Sequence, residues 1–325
     1  MAGPESVKRS FGQIVYLKQL QTFLAIAECG SATKAAQVLR IVQPAISRQM
    51  RLLEDELGTS LFHRERTGME LTDAGRILLG HAKRVMRELD EARAQIQPAG
   101  SVVAGFVRIG MPASTCDLLA GELVATIKRR HPQVLMRLDS GYAGLLQSAL
   151  IAGELDVAII NDPQPSPLIE AQYVLNEKLF LVGPANCGLT PDRAQPLSVL
   201  RGKALVLPAV PHAIRATVDH ACASKNIELE VVAEVNSTQM QLSLVRHGVG
   251  WTVMPSAGIS ADLAQGLLSG APLEGVTLQR HLALCLPMTR QISAATRCVT
   301  SALLELGELA VREGRWPGAK WVFSS

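Results

Sequence analysis

The chain has 325 residues, of which 48% are hydrophobic and 19% charged, so it can build two or three packed domains and is not globally disordered. Its formal net charge of only +3 excludes a histone-like polycation, but it permits basic residues concentrated at one site. No apolar run approaches the length that spans a bilayer, and no signal-peptide pattern is found near the N-terminus, so we expect a cytoplasmic protein without membrane contact.

The cysteines give no sign of a disulfide framework or a metal site. They form no CxxC pair, and no metal-ligand spacing relates them to the seven histidines, so we expect neither a metal nor another cofactor. We interpret them as reduced structural thiols. The alternative is a thiol redox sensor, which requires an exposed and activated thiolate.

Three short helices are predicted after a flexible extension of about 15 residues. Leucines recur at helical spacing from Leu17 to Leu24, and Gly30 ends this pattern. Ser31 predicts the N-cap of a second, shorter helix. A third helix is predicted over residues 43–57, with Pro44 in its first turn, where the missing N–H costs nothing.

The third helix is predicted to have one buried and one polar face. The apolar stripe runs from Ile46 to Leu57 in steps of four, three and four residues. The polar face carries residue types that bond base edges and phosphates, namely Gln43, Ser47, Arg48 and Arg51, and we place Pro44 with them. This arrangement predicts a helix-turn-helix. The alternative is a three-helix bundle whose outer face is merely solvated.

A short hairpin is predicted directly after the third helix. Residues 61–72 alternate as two strands, with Gly68 at the turn, and the tip carries Arg64, Arg66 and Thr67. A basic wing beside a recognition helix can reach the adjacent minor groove or the backbone. The wing therefore favours DNA binding over the solvated bundle.

The stretch SATKAAQVLRIVQPAISRQMRLLEDELGTSLFHRERTGMELTDAG, residues 31–75, resembles the DNA-binding domain of the LysR-type transcriptional regulators. The resemblance implies base or phosphate contacts from Gln43, Ser47 and Arg48, and backbone contacts from Lys34, Arg51 and the wing. One position departs from the commonest pattern. Val42 stands where many members have a serine, and a valine can neither cap the recognition helix nor bond a phosphate.

A long linker helix is predicted over residues 73–98, with Thr72 as its N-cap. Apolar residues recur every 3.5 positions from Leu78 through Ala82 and Val85 to Ile96, as in the seam of a coiled coil. The resemblance implies that this helix pairs two subunits, so we expect a dimer or homotetramer that binds paired half-sites. The alternative is a helix packed on its own domain.

The remainder of the chain, residues 102–325, alternates strands and helices, which predicts an α/β fold with parallel sheets. Two α/β lobes joined by a crossover resemble a periplasmic-binding-protein-type clamp. We expect lobe one over residues 102–176 and 277–325, and lobe two over residues 177–276. A tail with Trp316, Trp321 and Phe323 exceeds what this fold needs, and it either packs back or contacts another subunit.

Ligands of such folds lie at the ends of strands where helices begin. Three segments meet this rule and supply the candidate effector contacts Ser114, Thr115, Pro211, His212, Ser237 and Thr238. The alternative for each is simple N-capping with no ligand. Within the family, the segment from Phe106 to Pro112 and the wing sequence around Met69 are most similar to the nitrogen-assimilation-control branch.

We therefore predict a sequence-specific DNA-binding regulator of the LysR type, not an enzyme, which couples a small-molecule effector to promoter binding, with RNA polymerase as a candidate further partner. Its first alternative is a ligand-independent regulator whose second domain serves only oligomerisation. A solute-binding protein or an enzyme would leave the winged domain without a role, and the sequence has no nucleophile–base pairing or phosphate loop.

Overall fold

The chain divides into an N-terminal unit, Met1–Ala99, and a C-terminal unit, Gly100–Ser325. The computed structural model describes residues 16–65, 68–96, 102–275 and 278–323 of them. The predicted flexible extension and the wing-tip residues Arg66 and Thr67 lie outside the described residues. Within the described part, no helix is both long and apolar enough to cross a membrane.

The N-terminal unit consists of three helices, a two-stranded hairpin and a long helix. In chain order these are α1 (Leu17–Cys29), α2 (Ala32–Leu39), α3 (Gln43–Leu57), β1 (Phe62–Glu65), β2 (Gly68–Leu71) and α4 (Asp73–Ile96). Their apolar stripes meet in one core around Phe23, Ile46 and Leu53, none of which is exposed. The predicted helix-turn-helix and its hairpin are therefore present.

Local signals in the sequence account for the ends of these helices. Gly30 closes α1 at φ 63°, and its N–H donates to Ile26 O at 2.8 Å. The Ser31 hydroxyl accepts from the Lys34 N–H at 3.5 Å at the start of α2. The Thr72 hydroxyl accepts from the Gly75 N–H at 3.0 Å at the start of α4. The N-caps predicted at Ser31 and Thr72 are thus confirmed.

The first turns of α4 do not form a free coiled-coil seam. Leu78 and Ala82 pack into the core of the N-terminal unit, and Ala82 is only 1% exposed. Val85, the next seam residue, is 44% exposed. Ala82 is therefore taken up by the intramolecular core, against the prediction of a dimer seam that starts at Leu78, while Leu78 is only partly buried there. An intramolecular core and a dimer seam use the same apolar spacing. The seam remains a prediction from Val85 onward.

The C-terminal unit is built from two α/β lobes joined by crossing strands. Lobe one contains β3 (Ala104–Met111), α5 (Ala113–Arg130), β4 (Gln133–Ser140), α6 (Ala143–Ile151), β5 (Val157–Asn161), the first part of β6 (Ile169–Pro184), β11 (Gln279–Pro287), α10 (Ala294–Arg312) and β12 (Ala319–Trp321). Lobe two contains the rest of β6, β7 (Ala204–Pro208), α7 (Ala213–Ala223), β8 (Glu230–Val235), α8 (Thr238–Arg246), β9 (Thr252–Pro255), α9 (Ser260–Ala264) and β10 (Leu268–Pro272). Two short 3₁₀ helices, Leu197–Leu200 and Ser256–Ile259, complete this lobe.

The strands β6 and β11 carry the chain out of lobe one and back. Strand β11 pairs with β6 as far as Gln279 opposite Lys178, and the next residue of β6, Leu179, pairs with β9. The chain therefore changes lobes at Lys178–Leu179 and again at Leu278–Gln279, about two residues from each predicted boundary.

The predicted parallel pairing is present in each lobe, but the crossing strands add antiparallel pairs. In lobe one, β3 runs parallel to β4 and β5, but β11 is antiparallel to both β5 and β6. In lobe two, β7 and β8 are parallel, whereas β9 and β10 are antiparallel to β6. Since one crossing strand leaves lobe one and the other returns to it, the two run in opposite directions and make the sheet mixed.

The C-terminal tail packs back on its own unit. Strand β12 pairs with β6, with Ala319 opposite Glu177 and Trp321 opposite Leu175. Trp316 is only 3% exposed and belongs to the core of lobe one. Of the two alternatives for the tail, the structure shows the first.

Candidate nucleic-acid surface and ligand cavity

The polar face of α3 is presented to solvent. Gln43, Pro44, Arg48 and Arg51 are exposed, and Ser47 is half-buried between them. On the opposite side Ile46, Met50 and Leu53 are buried in the core. The predicted stripe is wrong at its last residue, because Leu57 lies at the end of the helix and is 41% exposed. Helix α3 thus presents the side chains that the sequence assigned to DNA, and exposed Lys34 on α2 adds a further cation.

At the N-terminal end of α3, two of the predicted DNA contacts bond each other, but the helix has no side-chain cap. The Gln43 Nε2 donates to Ser47 Oγ at 3.0 Å, one helical turn further on. At the preceding N-cap position, Val42 has extended φ and ψ of −76° and 143° and makes no side-chain cap hydrogen bond. The expectation that valine leaves this helix without a side-chain cap is confirmed.

The hairpin is anchored beside α1 by a backbone hydrogen bond and beside α3 by the side chain of Glu54. The Met69 N–H donates to Gly30 O at 2.9 Å, and a Cβ on Gly68 would lie 2.6 Å from that same oxygen. The Glu54 carboxylate at the far end of α3 accepts from the Leu61 N–H at 2.8 Å. This acidic residue therefore fixes the entry to the hairpin, whose β1 strand includes the predicted DNA contact Arg64.

A cavity of about 490 Å³ lies between the lobes of the C-terminal unit. Its walls include the starts of four helices, α5, α6, α7 and α8. The polar and charged residues that line it are Ser114, Asp117, Ser140, Tyr142, Asn161, His212, Asn236, Ser237, Thr238, Gln239, Gln241 and Arg280. Helix N-termini present unpaired N–H groups and the positive end of the helix dipole, so the geometry favours an anion.

Arg280 is the buried cation of this cavity. It is 5% exposed, and its Nε donates to Glu177 Oε2 at 2.7 Å. Its Nη2 donates to Ser114 Oγ at 2.8 Å. A guanidinium has five N–H donors, and these two bonds engage two of them. Three further donors are not engaged by these two bonds, and Arg280 lines the cavity.

Glu177 holds this arginine in place from the hinge. It is fully buried on β6, immediately before the chain changes lobes. Its Oε1 accepts from Ser256 Oγ at 2.9 Å, the Ala257 N–H at 2.8 Å and Trp316 Nε1 at 2.9 Å. The carboxylate is thus bonded by the crossing strand, lobe two and the C-terminal tail together.

His212 reaches the cavity as a neutral side chain. Its Nδ1 accepts from the Ile214 N–H at 3.2 Å, as the N-cap of α7. Burial, and then the nearby charge of Arg280, lower the pKa of His212 below its usual range. The imidazole therefore keeps the lone pair that the cap requires at neutral pH. On the opposite lobe, desolvation raises the pKa of the Asp117 carboxyl.

The structure brings four of the six predicted effector contacts to the cavity: Ser114, His212, Ser237 and Thr238. It does not bring Thr115 or Pro211 there. Thr115 is 1% exposed, because the residue after Ser114 points about 100° further around the helix and faces the core. Arg280 and Glu177 were missed, since each occupies a strand whose residues otherwise indicate only a sheet.

Three of the six cysteines lack the activated thiolate that a redox sensor requires. Burial raises the pKa of Cys116 and of Cys222 to about 11, and that of Cys285 to about 12. These groups stay protonated at neutral pH, and a thiol is a poor nucleophile compared with a thiolate. Among the described residues, no group of histidine, cysteine and acidic side chains is arranged to hold a metal ion.

A winged helix-turn-helix with an exposed polar recognition face, followed by a two-lobed unit with an interlobe cavity, defines a DNA-binding transcriptional regulator. Two family models match this chain. The model of the bacterial regulatory helix-turn-helix protein, lysR family, matches residues 17–76, and that of the LysR substrate binding domain matches residues 100–308. The chain therefore belongs to the LysR family of transcriptional regulators.

Curated relatives and solved structures are similar over most of the chain. The nitrogen assimilation regulatory protein nac of Klebsiella aerogenes is 31% identical over 293 residues, which are 89% of this chain and 94% of that protein. Its counterpart from Escherichia coli is 30% identical over 301 residues, 92% of this chain and 97% of that protein. The expected similarity to the nitrogen-assimilation-control branch is confirmed.

The solved structures of two full-length regulators have the same fold. A full-length cysteine variant of OxyR from Pseudomonas aeruginosa has a TM-score of 0.70 at 22% identity, covering 90% of this chain and 95% of that chain. CbnR complexed with its target DNA has a TM-score of 0.66 at 23% identity, covering 91% of this chain and 99% of that chain.

Proposed function

We propose that this regulator couples a small anionic metabolite, bound between the lobes of the C-terminal unit, to the binding of paired DNA half-sites. The observation that carries the proposal is the buried guanidinium of Arg280 in the cavity wall, held by Glu177 and Ser114. A ligand that closes the lobes shifts the regulator between two states only through unequal affinity for them.

The cavity favours a metabolite with a carboxylate at one end and a hydrogen-bond donor at the other. Arg280 and the helix N-termini suit the carboxylate. Ser114 already accepts a hydrogen bond from Arg280, so its own proton is available for the ligand. Asp117 lies three residues further along α5, on the same face, and suits an amino or hydroxyl group about one helical turn away.

On the DNA side, we propose that α3 enters the major groove with Gln43, Pro44, Ser47 and Arg48 toward the bases or their phosphates. Lys34, Arg51 and the wing residues Arg64, Arg66 and Thr67 contact the backbone. Two subunits pair through the part of α4 from Val85 onward, and dimers or homotetramers act in the cytoplasm on DNA, with RNA polymerase as a further partner and without catalysis.

A nuclease footprint tests the DNA part of the proposal. The purified full-length protein is applied to the DNA upstream of its own gene and to a random fragment at two salt concentrations. We expect a pair of protected half-sites on one face of the duplex, with protection weakening as salt rises. Equal affinity for both fragments would contradict sequence-specific binding.

A thermal-shift screen tests the effector part. We expect small mono- and dicarboxylates to raise the melting temperature of the full-length protein, and neutral amides of the same shape not to. Ser114→Ala should reduce the shift, whereas Ser301→Ala, which removes an exposed hydroxyl on α10, should not. If no compound shifts the transition while the footprint persists, the C-terminal unit serves oligomerisation only.

A further inference from the structure

Val42 is an exposed valine at a position where a polar residue would stabilise the helix. It occupies the N-cap of α3, its side chain is 70% exposed, and it makes no cap hydrogen bond. The other helices of the N-terminal unit begin with side-chain bonds: Gln19 accepts from the Tyr16 N–H at 2.7 Å, Ser31 caps α2 and Thr72 caps α4. Helix α3 thus differs from the other helices of its unit, because it begins without a side-chain hydrogen bond at its N-cap.

This departure carries a cost in stability, because an aliphatic side chain at an N-cap leaves a donor of the first turn without a side-chain acceptor. Val42 returns little of this through burial, since most of its side chain is open to solvent. An apolar side chain at this position therefore suits an apolar partner outside the chain.

The position of Val42 points to DNA as that partner. It immediately precedes Gln43, at the end of the helix whose first residues reach base edges in helix-turn-helix proteins. Gln43 leans along the helix toward Ser47, since its Nε2 donates to that hydroxyl, and so its amide lies away from the N-cap. Among the groups that base pairs expose in the major groove, the apolar one is the C5-methyl of thymine.

We propose that Val42 is a specificity-determining residue that packs on the C5-methyl group of a thymine in each half-site. The contact selects T·A over pairs that lack this methyl, while Gln43, Ser47 and Arg48 supply polar contacts beside it. The inference rests on the proposed entry of α3 into the major groove, and it adds an apolar, base-reading contact at the start of that helix.

Replacing thymine with deoxyuridine tests the proposal, because this exchange removes the methyl and leaves base pairing intact. Each thymine of a footprinted half-site is replaced in turn, in both half-sites, and the dissociation constant of the full-length protein is measured. Burial of one methyl group corresponds to about a fourfold change in affinity. We expect at least one thymine whose replacement weakens binding by about fourfold per half-site.

Variants at position 42 attribute this loss to the valine. Val42→Ser should bind thymine and deoxyuridine probes equally, while Val42→Thr, which retains one methyl, should keep part of the discrimination. Thymine exchanges outside the footprint serve as the control. The inference would be overturned if deoxyuridine weakened the binding of wild type and Val42→Ser equally, or if no thymine replacement weakened binding at all. Either result would leave sequence-specific binding itself intact. If the wild-type protein shows no specific binding to the unmodified site, that result counts against the proposed function instead.

Discussion

The two units of this regulator present their functional groups in opposite ways. Arg48 and its neighbours on α3 are exposed cations and amides, whose protein contacts are few and local. Arg280 is only 5% exposed and is held by a carboxylate 103 residues away in the chain. A DNA surface meets a strongly charged polymer and can leave its cations hydrated until contact. A cavity that binds one small molecule must order its charge beforehand.

The largest effect on stability should come from removing one partner of the buried Glu177–Arg280 pair and leaving the other. Glu177→Ala leaves Arg280 as an uncompensated buried charge and orphans three further donors, so we expect a loss of about 3–5 kcal/mol in unfolding free energy of the C-terminal unit. Chemical denaturation followed by circular dichroism measures it. The double variant Glu177→Ala, Arg280→Met should recover part of the loss, since it removes the unpaired charge as well.

A matched exposed pair provides the control. Arg130 and Glu305 form two hydrogen bonds, at 2.6 and 2.9 Å, that join α5 to α10 on the surface of the same lobe. Because solvent screens this pair, Arg130→Gln should move the unfolding midpoint far less than Glu177→Ala. Similar shifts of the unfolding midpoint for the two variants would mean that the buried pair contributes no more to stability than the exposed one.

Trp316→Phe should have the next largest effect. The change keeps an aromatic ring in the core but removes the indole N–H that donates to Glu177 Oε1 at 2.9 Å. Loss of one hydrogen bond to a buried charged group costs about 1–3 kcal/mol. The same replacement at Trp321, which packs beside Gly307 on α10, removes ring contacts without touching Glu177. If Trp321→Phe is equally destabilising, the hydrogen bond contributes little.

Arg48→Ala probes the exposed side of the comparison. Because the side chain is exposed in the free protein, its removal should leave the melting temperature nearly unchanged. Specific DNA binding should weaken by roughly 1–3 kcal/mol if Arg48 reads a base. Titrations against operator and random DNA distinguish the roles, since an equal loss on both would mean that Arg48 contacts only phosphate.

The difference between the units also explains what the sequence alone can predict. The stripe from Ile46 to Leu57, the caps at Ser31 and Thr72 and the glycine at position 30 act over three or four residues, so the helix-turn-helix follows from local spacing. The alternation of strands and helices predicts the α/β class, and the resemblance to a two-lobed clamp implies the lobe boundaries near Lys178, but neither gives the direction of the crossing strands.

The candidate ligand site was only half predictable for the same reason. Ser114 and Ser237 stand where strands meet helix starts, so a local rule finds them. Arg280 and Glu177 lie on different strands, and their pairing depends on the register of β6 with β11, which no local pattern encodes. The seam on α4 was ambiguous in another way, since Leu78 and Ala82 satisfy an internal core with the same periodicity that a dimer requires.

Val42→Ser should have the smallest effect, and it changes both helix stability and DNA recognition at a single residue. A serine at the N-cap can accept a hydrogen bond from the first turn of α3, so the N-terminal unit should gain about 0.5–2 kcal/mol, seen as a higher melting temperature. Val42→Ala, which adds no cap, is the matched control and should not stabilise the unit. If the serine variant melts at or below wild type, the uncapped helix end costs nothing and the valine needs no explanation in DNA. If the serine variant melts higher yet binds its operator less selectively, Val42 lowers the stability of α3 and contributes to base recognition. The exposed DNA surface then differs from the buried site, where hydrogen bonds hold Arg280 in place before any ligand binds.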